Sequence, residues 1–422
     1  MKINVIDLFA GCGGLTDGFL QTGLYNTLAA VDWETATVET LKNRLEKKWG
    51  YDLSKNNILH FDIQRTEELI GGYNDSNYGS SIGLDKLVNT NRVDLIVGGP
   101  PCQAYSIAGR VRDENGMQDD YRNFLFESYV KLVNHFKPKA FVFENVEGIL
   151  SAKPGGILIV KRIKKAFNEI GYEITDNLRS NALFDTSYYN VPQKRKRVII
   201  FGVPTDIESK SKINSFYLKM RSKASSEPLI SKSAFEYLPK IFPDPNNPKH
   251  SHTVNLNGVP LPKNHEPRLH SERDIDIFKL LAEDIKSGRE MYTSSKALIE
   301  LYKQKTGKES NFHKYHVIRE DKPSNTIPAH LYKDGLRHIH PDPKQARSIT
   351  VREAARLQTF DDDFEFFGSR GDQYKMIGNA VPPAFSKIIA ETVYEIIIGN
   401  SIDKVGLFNN ELNEPQKTYA TL

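Results

Sequence analysis

A chain of 422 residues with 39% apolar and 10% aromatic side chains can bury a full core, is long enough for two domains, and reads as soluble and globular. Its two cysteines exclude a disulfide framework and a cysteine-based zinc site, and no apolar run approaches the roughly 20 residues of a bilayer span. The formal charge of +4 is too small to argue for nucleic acid, but it is uneven: residues 203–345 carry about +6 and nine of the eleven histidines, against about −2 elsewhere. Such a segment is either a solvated basic surface or a face for a polyanion. The N-terminus, MKINVIDLF, enters a strand pattern directly and shows no signal-peptide features, so the cytoplasm is the expected location.

From residue 1 to about 202, the runs INVIDLF, YNTLAAVD, VDLIVGG, KAFVFEN and RVIIFG are short, apolar and β-rich, with helical stretches between them. That alternation predicts parallel βαβ units covered on both faces. Residues 71–91, rich in Gly, Asn and Ser, read as a surface insertion. After Gly202 the alternation stops, and residues to about 345 predict a second, less regular domain with one helix near 273–286. Its stretch FPDPNNPKH cannot be a central strand. Regularity returns at Thr350, a candidate N-cap with Glu353 three residues on, as in a capping box. The last helix is expected to start at Pro382 or Pro383 and to pack Phe385, Ile389, Val393 and Ile396 on the first domain. The first domain is therefore assigned to 1–203 and 366–422, and the second to 204–365, with its variable part at about 204–345.

Two clusters of candidate site residues emerge. The first strand runs into Ala10, Gly11, Cys12, Gly13 and Gly14, a turn at the edge where open α/β sheets bind ligands. Such a turn also serves nicotinamide and flavin binders, or structure alone. Asp32 and Trp33 end the next strand and Asp62 follows the third, so glycine, acid and acid at successive strand ends suit an adenosine ligand. Cys12, flanked by glycines, reads as a packed small residue. The fourth strand delivers Pro100, Pro101, Cys102 and Gln103; the prolines make a stiff support, and the polar stretch after it is long enough to move. A lone cysteine there is either a nucleophile or a packed thiol. The following strand, after a helix at 123–136, delivers Glu144 and Asn145, and a right-handed crossover puts thiol and carboxyl on one crevice.

In order along the chain stand DLFAGCGG, VDW, FDI, GGPPCQAYS, ENVEG, QKRKR, REAARLQTF and GNAVPP. In these the chain resembles the cytosine-C5 DNA methyltransferase family, of the bacterial restriction-modification or orphan type. The resemblance covers most of the chain outside residues 203–345. It implies an α/β fold: a Rossmann-like S-adenosylmethionine-dependent methyltransferase domain with a mixed, mainly parallel sheet, plus a smaller, irregular target-recognition domain. It implies that a cytosine is flipped out of duplex DNA, that the Cys102 thiolate adds to its carbon 6, and that carbon 5 then takes the methyl group. Glu144 would protonate or hold ring nitrogen 3, and Arg197 would contact the cytosine carbonyl oxygen with support from Arg195 and Gln193. Gln103, Ser106, Arg110 and Arg112 match a mobile loop that closes on DNA, and Arg195 is expected to contact the DNA as well. Phe9, Gly11, Gly14, Asp32, Trp33, Asp62, Pro101, Leu125, Asn379 and Val381 match positions around S-adenosylmethionine, and no metal is implied. Asp32 stands where glutamate is also common, and Pro100 precedes the motif proline. Residues 204–345 would anchor phosphates through Lys and Arg and read base edges through Asn, His, Arg and Tyr. Duplex DNA is the implied partner, with a cognate endonuclease acting separately, no membrane, and a monomer in the nucleoid-associated cytoplasm. A transfer-RNA cytosine-C5 methyltransferase built on the same motifs, and a catalytically silent DNA-binding paralogue, are the alternatives.

Overall fold

Strands that are apolar on both faces need cover on both sides, and here helices enclose one large sheet. The computed structural model describes residues 2–101, 125–256, 258, 260–310, 315–333 and 335–399. In chain order these form β1 (Ile3–Leu8), α1 (Gly14–Leu20), β2 (Tyr25–Asp32), α2 (Thr35–Trp49), β3 (Ile58–His60), α3 (Thr66–Gly71), β4 (Tyr73–Asp75), β5 (Gly79–Ser81), α4 (Leu84–Val88), β6 (Leu95–Gly98), α5 (Leu125–Phe136) and β7 (Ala140–Val146). There follow α6 (Ile159–Glu169), β8 (Tyr172–Ile174), α7 (Leu178–Asn181), β9 (Leu183–Asp185), β10 (Lys196–Pro204), α8 (Ser209–Ser222), β11 (Lys240–Pro243), β12 (His252–Asn255), α9 (Glu272–Lys286), α10 (Ser295–Thr306), α11 (Val351–Leu357), α12 (Arg370–Asn379) and α13 (Pro383–Ile398).

The sheet runs β3-β2-β1-β6-β7-β10-β8, with β9 also paired to β10. The first five strands are parallel, and β10 is antiparallel to all its neighbours. The expected α/β class with a mixed, mainly parallel sheet is therefore what the chain adopts. Parallel strands bring their carboxyl ends to one edge, so the residues after β1, β2, β3, β6 and β7 share it. Because β10 runs the other way, it brings its amino end, with Arg195 and Arg197, to that same edge.

The chain's last described helix closes the structure onto its first. Pro382 caps α13, as expected, and Phe385, Ile389 and Val393 are fully buried. Two glycines of α1 make the close approach possible. A Cβ at Gly14 would lie 2.2 Å from the Val381 carbonyl oxygen, and one at Gly18 would lie 2.4 Å from Ser386 Cβ and 2.5 Å from the Pro383 oxygen. Helix α8 lies beyond the boundary expected at residue 203, yet it packs into the sheet's core. Phe216 stacks on Phe201 with centroids 4.3 Å apart, and the Tyr217 hydroxyl donates to the Ile199 carbonyl at 3.1 Å.

Two smaller cores sit beside the sheet. One gathers Ile318, Ile327 and Leu331 with α11, α12 and Cys12; the other packs α9 against α10. The first of these spans the boundary expected near residue 365, because α11 and α12 share their apolar faces. The helix expected at 273–286 is α9, and α10 is a second one. Thr350 and Glu353 make both bonds of the capping box, and Ser369 with Asp372 form another ahead of α12.

Four of the basic segment's histidines are interior. His252, His265, His338 and His340 are at most 4% exposed, and burial pushes His270, His338 and His340 down to about 3. His340 Nδ1 accepts from the Asp342 amide at 3.0 Å, which requires that nitrogen to be unprotonated. These rings are neutral packing groups, and the expectation that His side chains in this segment read base edges does not hold for them.

Two outcomes follow from this packing. Gly18→Ala should cost about 1–3 kcal/mol or more in urea unfolding, whereas Gly71→Ala, which meets open space, should change stability by less than about 1 kcal/mol. The second concerns acid. A histidine held neutral in the fold takes its proton only in the unfolded chain between its folded value and about 6.5, so stability is lost as pH falls through that window. Between pH 7 and pH 5 the unaltered protein should lose about 2 kcal/mol more than His340→Asn. Equal losses would mean that the folded imidazole is charged.

Candidate active site

Each half of the site begins at a strand end. After β1, Phe9 adopts φ 58°, and Gly11 and Gly13 follow at 55° and 93°, so the chain turns sharply before α1. A left-handed Phe is costly and persists only where its surroundings hold it. Here Asp32, at the end of β2, does so: its Oδ2 accepts from the Gly11 amide at 2.8 Å, while Oδ1 accepts from the Glu34 amide at 3.0 Å and the Thr37 hydroxyl at 2.9 Å. Three of its roughly four lone-pair directions are thereby occupied, which leaves room for one hydroxyl of a ribose and not two. Next to it Trp33 is 56% exposed, unusual for so large a ring and suited to lying against a planar ligand. Asp62 is half-buried beyond β3, with Oδ1 accepting from the Gln64 amide at 3.0 Å. The space beside Gly11, where a Cβ would point, is open.

Across this edge come Asn379, which is exposed, and Val381, which is buried and rests on Gly14. Gly14 thus serves by letting the Val381 backbone reach the glycine turn. Leu125 is buried at the start of α5, and Pro101 is half-buried past β6.

The second half is built where β6, β7 and β10 meet. Gly98 pairs with Phe143, so the chain after β6 passes directly over the end of β7. Asn145 Nδ2 donates to the Pro100 carbonyl at 3.2 Å, and a Cβ at Gly99 would lie 2.7 Å from Glu144 Oε2. Glycine at 99 is what lets the Pro-Pro segment sit on the Glu144 carboxyl. From the other side Arg197 Nε approaches Glu144 Oε1 at 2.7 Å, an ion contact that is close without being an aligned hydrogen bond. Burial pushes the Glu144 acid up, and Arg197 and Arg195 pull it part of the way back. The Glu144 carboxyl thus takes up a proton more readily than an exposed one.

Arg195 is placed differently from Arg197. It is 1% exposed, and its Nη2 donates to the Gly378 and Ala380 carbonyls at 2.8 and 3.1 Å while Nη1 donates to Ile327 at 3.2 Å. Burial and the neighbouring Arg197 both work against its charge, and Glu144 offsets part of this. It acts as an internal brace, so the expected DNA contact is not one this placement supports. Gln193, also buried, accepts from the Ile327 amide at 2.9 Å and donates to Gln358 Oε1 at 3.1 Å. Gln358 Nε2 in turn donates to Ile377 at 2.6 Å. The role of Gln358 was not singled out from the sequence, although it stands inside REAARLQTF. Cys102, Gln103, Ser106, Arg110 and Arg112 lie outside the described residues.

A carboxyl–guanidinium pair on the same sheet edge as an exposed tryptophan and a glycine turn is an arrangement that can hold a nucleoside cofactor and a second planar base along one edge. The sequence profile of the family described as C-5 cytosine-specific DNA methylase matches residues 3–395. The chain belongs to this family. It is 36% identical to the type II methyltransferase M.Bpa9945I of Bacillus paralicheniformis, over 94% of this chain and 99% of that relative. To the type II methyltransferase M.DdeI of Desulfomicrobium norvegicum it is 30% identical, over 93% and 88%. A solved E. coli chain, a candidate DNA modification methyltransferase encoded within a prophage, shares the fold with a TM-score of 0.56 at 22% identity, covering 94% of this chain and 99% of that one. The methyltransferase therefore acts on carbon 5 of cytosine in DNA, and its sheet is the S-adenosylmethionine-dependent methyltransferase fold.

The Glu144–Arg197 pair gives a pH-dependent test. With Arg197 removed, Glu144 loses an attraction and its acid moves higher still. A carboxyl raised in the fold binds its proton more tightly folded than unfolded, so its contribution favours folding at low pH and is lost as pH climbs through the folded value. Arg197→Met should therefore cost about 3–5 kcal/mol in unfolding free energy at pH 8, where the buried carboxylate keeps only the weaker attraction of Arg195, and clearly less at pH 5. The same cost at both values would show that the pair does not control Glu144.

Proposed function

We propose that duplex DNA lies across the carboxyl edge of the sheet, with one cytosine of a short specific sequence turned out of the helix into the crevice between residues 99–101 and the Glu144–Arg197 pair. The observation that carries this reading is the buried Glu144, raised by its surroundings and contacted by Arg197, with the Pro-Pro support for Cys102 seated on it. Carbon 5 of cytosine is a poor nucleophile. The Cys102 thiolate forms a bond to carbon 6 while Glu144 gives a proton to nitrogen 3, which removes the negative charge that the addition would otherwise leave on the ring. Arg197 holds the base carbonyl oxygen. Carbon 5 takes the methyl group as the sulfonium's carbon–sulfur bond breaks; the carbon 5 proton then passes to solvent, the carbon 6–sulfur bond breaks to return the Cys102 thiolate, and nitrogen 3 gives its proton back to Glu144, which restores the aromatic ring.

The residues at the first three strand ends fit S-adenosylmethionine, which supplies the methyl group as an electrophile when bound. Trp33 presents a free ring face to adenine, Asp32 offers one remaining acceptor direction to a ribose hydroxyl, and Asp62 reaches for the adenine amino group. The turn of Phe9, Gly11 and Gly14 leaves open space beside Gly11 for the methionine portion, and Asn379 and Val381 with Pro101 and Leu125 line the rest. Gln103, Ser106, Arg110 and Arg112 close on the DNA. Residues 204–345, with their excess of Lys and Arg, choose the sequence, and exposed side chains do so in place of the interior histidines. The relatives' designation as type II methyltransferases supports a protective role beside a separately acting endonuclease. No described helix is long and apolar enough to cross a membrane.

Expressed in a host without cytosine methylases, the protein should leave 5-methylcytosine within one short sequence. A duplex carrying that sequence with 5-fluorocytosine at the target should form a covalent complex that survives denaturing electrophoresis, and Cys102→Ser should form none. Glu144→Gln should slow methylation by about 10²–10⁴-fold. Modification without any trapped complex would overturn the proposed attack at carbon 6.

A further inference from the structure

Gln193, Arg195 and Gln358 are each at most 1% exposed and join parts of the chain that are far apart in sequence. Among the described residues, their side chains hydrogen-bond to backbone groups, apart from the bond between Gln193 and Gln358. Arg195 bridges the carbonyls of Ile327, Gly378 and Ala380. Gln193 takes the Ile327 amide and donates to the Leu357 carbonyl at 3.2 Å. The segment around Ile327 lies along the residues just before the strand that carries Arg197: the Lys194 amide donates to the Ser324 carbonyl at 2.9 Å, and the Thr326 hydroxyl donates to the Lys194 carbonyl at 2.8 Å. Asn325 and Thr326 are exposed there, on the basic segment. The other segment, 378–381, sets the Val381 carbonyl and the Ala380 methyl against Gly14 of the glycine turn. The two are in backbone contact, since a Cβ at Gly378 would lie 2.5 Å from the Ala329 nitrogen.

We infer that Arg195 is a positioning residue that couples DNA binding to cofactor binding, by holding segment 325–330 and segment 378–381 on one rigid fork. The inference rests on the functional reading above. A guanidinium donates in fixed directions, so moving either carbonyl segment strains its bonds to the other, and a buried donor left without its acceptor is costly. A ligand that fixes one segment therefore favours the bound form of the other, and the effect is equal in both directions.

The probes are S-adenosylhomocysteine and a duplex carrying the sequence found by the methylation mapping. For the unaltered protein, each probe should tighten the other by the same factor, at least about fivefold. Arg195→Lys keeps the charge without the fork, so each probe should still bind alone while the factor falls to near one. If that variant does not fold, hydrogen exchange in the unaltered protein decides: S-adenosylhomocysteine alone should slow the amides of 324–330, and DNA alone should slow those of 376–381. A factor near one in the unaltered protein, a factor unchanged in Arg195→Lys, or exchange protection confined to each probe's own segment overturns the coupling. Failure of both probes to bind at all overturns the functional reading beneath it.

Discussion

Five backbone carbonyls, from Ile327, Leu357, Ile377, Gly378 and Ala380, converge on three buried side chains, and the rest of the site depends on that convergence. Buried polar groups in a low-dielectric interior are stable only when their partners are all in place. The network therefore cannot form until β10, α11, the turn after α12 and the Ile327 segment have come together. It sets where β10 begins, and β10 sets where Arg197 meets Glu144. It also holds the turn from which Ala380 and Val381 reach α1. A site assembled from residues 9 to 381 is made rigid by contacts that touch no substrate.

The same arrangement explains why the motifs are spread as they are. Parallel strands deliver the glycine turn, Asp32, Asp62, Pro101 and Glu144 to one edge from the first third of the chain. The antiparallel β10 supplies cations to that edge, and only a returning helix, seated on Gly14 and Gly18, closes it. Glu144 and Arg197 gain their properties from this enclosure. In water they would be an ordinary acid and base; here burial raises the acid and the adjacent guanidinium limits the rise.

Much of this was legible in the residues because it is governed by local rules. The capping box at Thr350 and Glu353, the proline start of α13, the apolar strands and the meeting of Pro100 with Glu144 and Asn145 all follow from short-range pattern and crossover handedness. What was not legible depends on distant packing. Strands β8 and β9 are three residues each, too short for an alternating pattern to show. Helix α8 follows the end of the regular alternation, and its contacts with Phe201 and Ile199 are what assign it to the sheet. Histidine and arginine carry the same letters whether they face DNA or the interior, so His340 and Arg195 could be separated from surface residues only by their neighbours.

The account separates chemistry at a fixed crevice from recognition by the basic segment, and its central claim concerns the atom that is modified. The most direct measurement supplies S-adenosylmethionine with a trideuterated methyl group to the purified protein, with duplex DNA and transfer RNA in the same mixture, and analyses the nucleosides by mass spectrometry. The account predicts deuterated 5-methyldeoxycytidine from the duplex and no label in the transfer RNA. Label on the exocyclic nitrogen of cytosine, or in transfer-RNA cytidine alone, would contradict it.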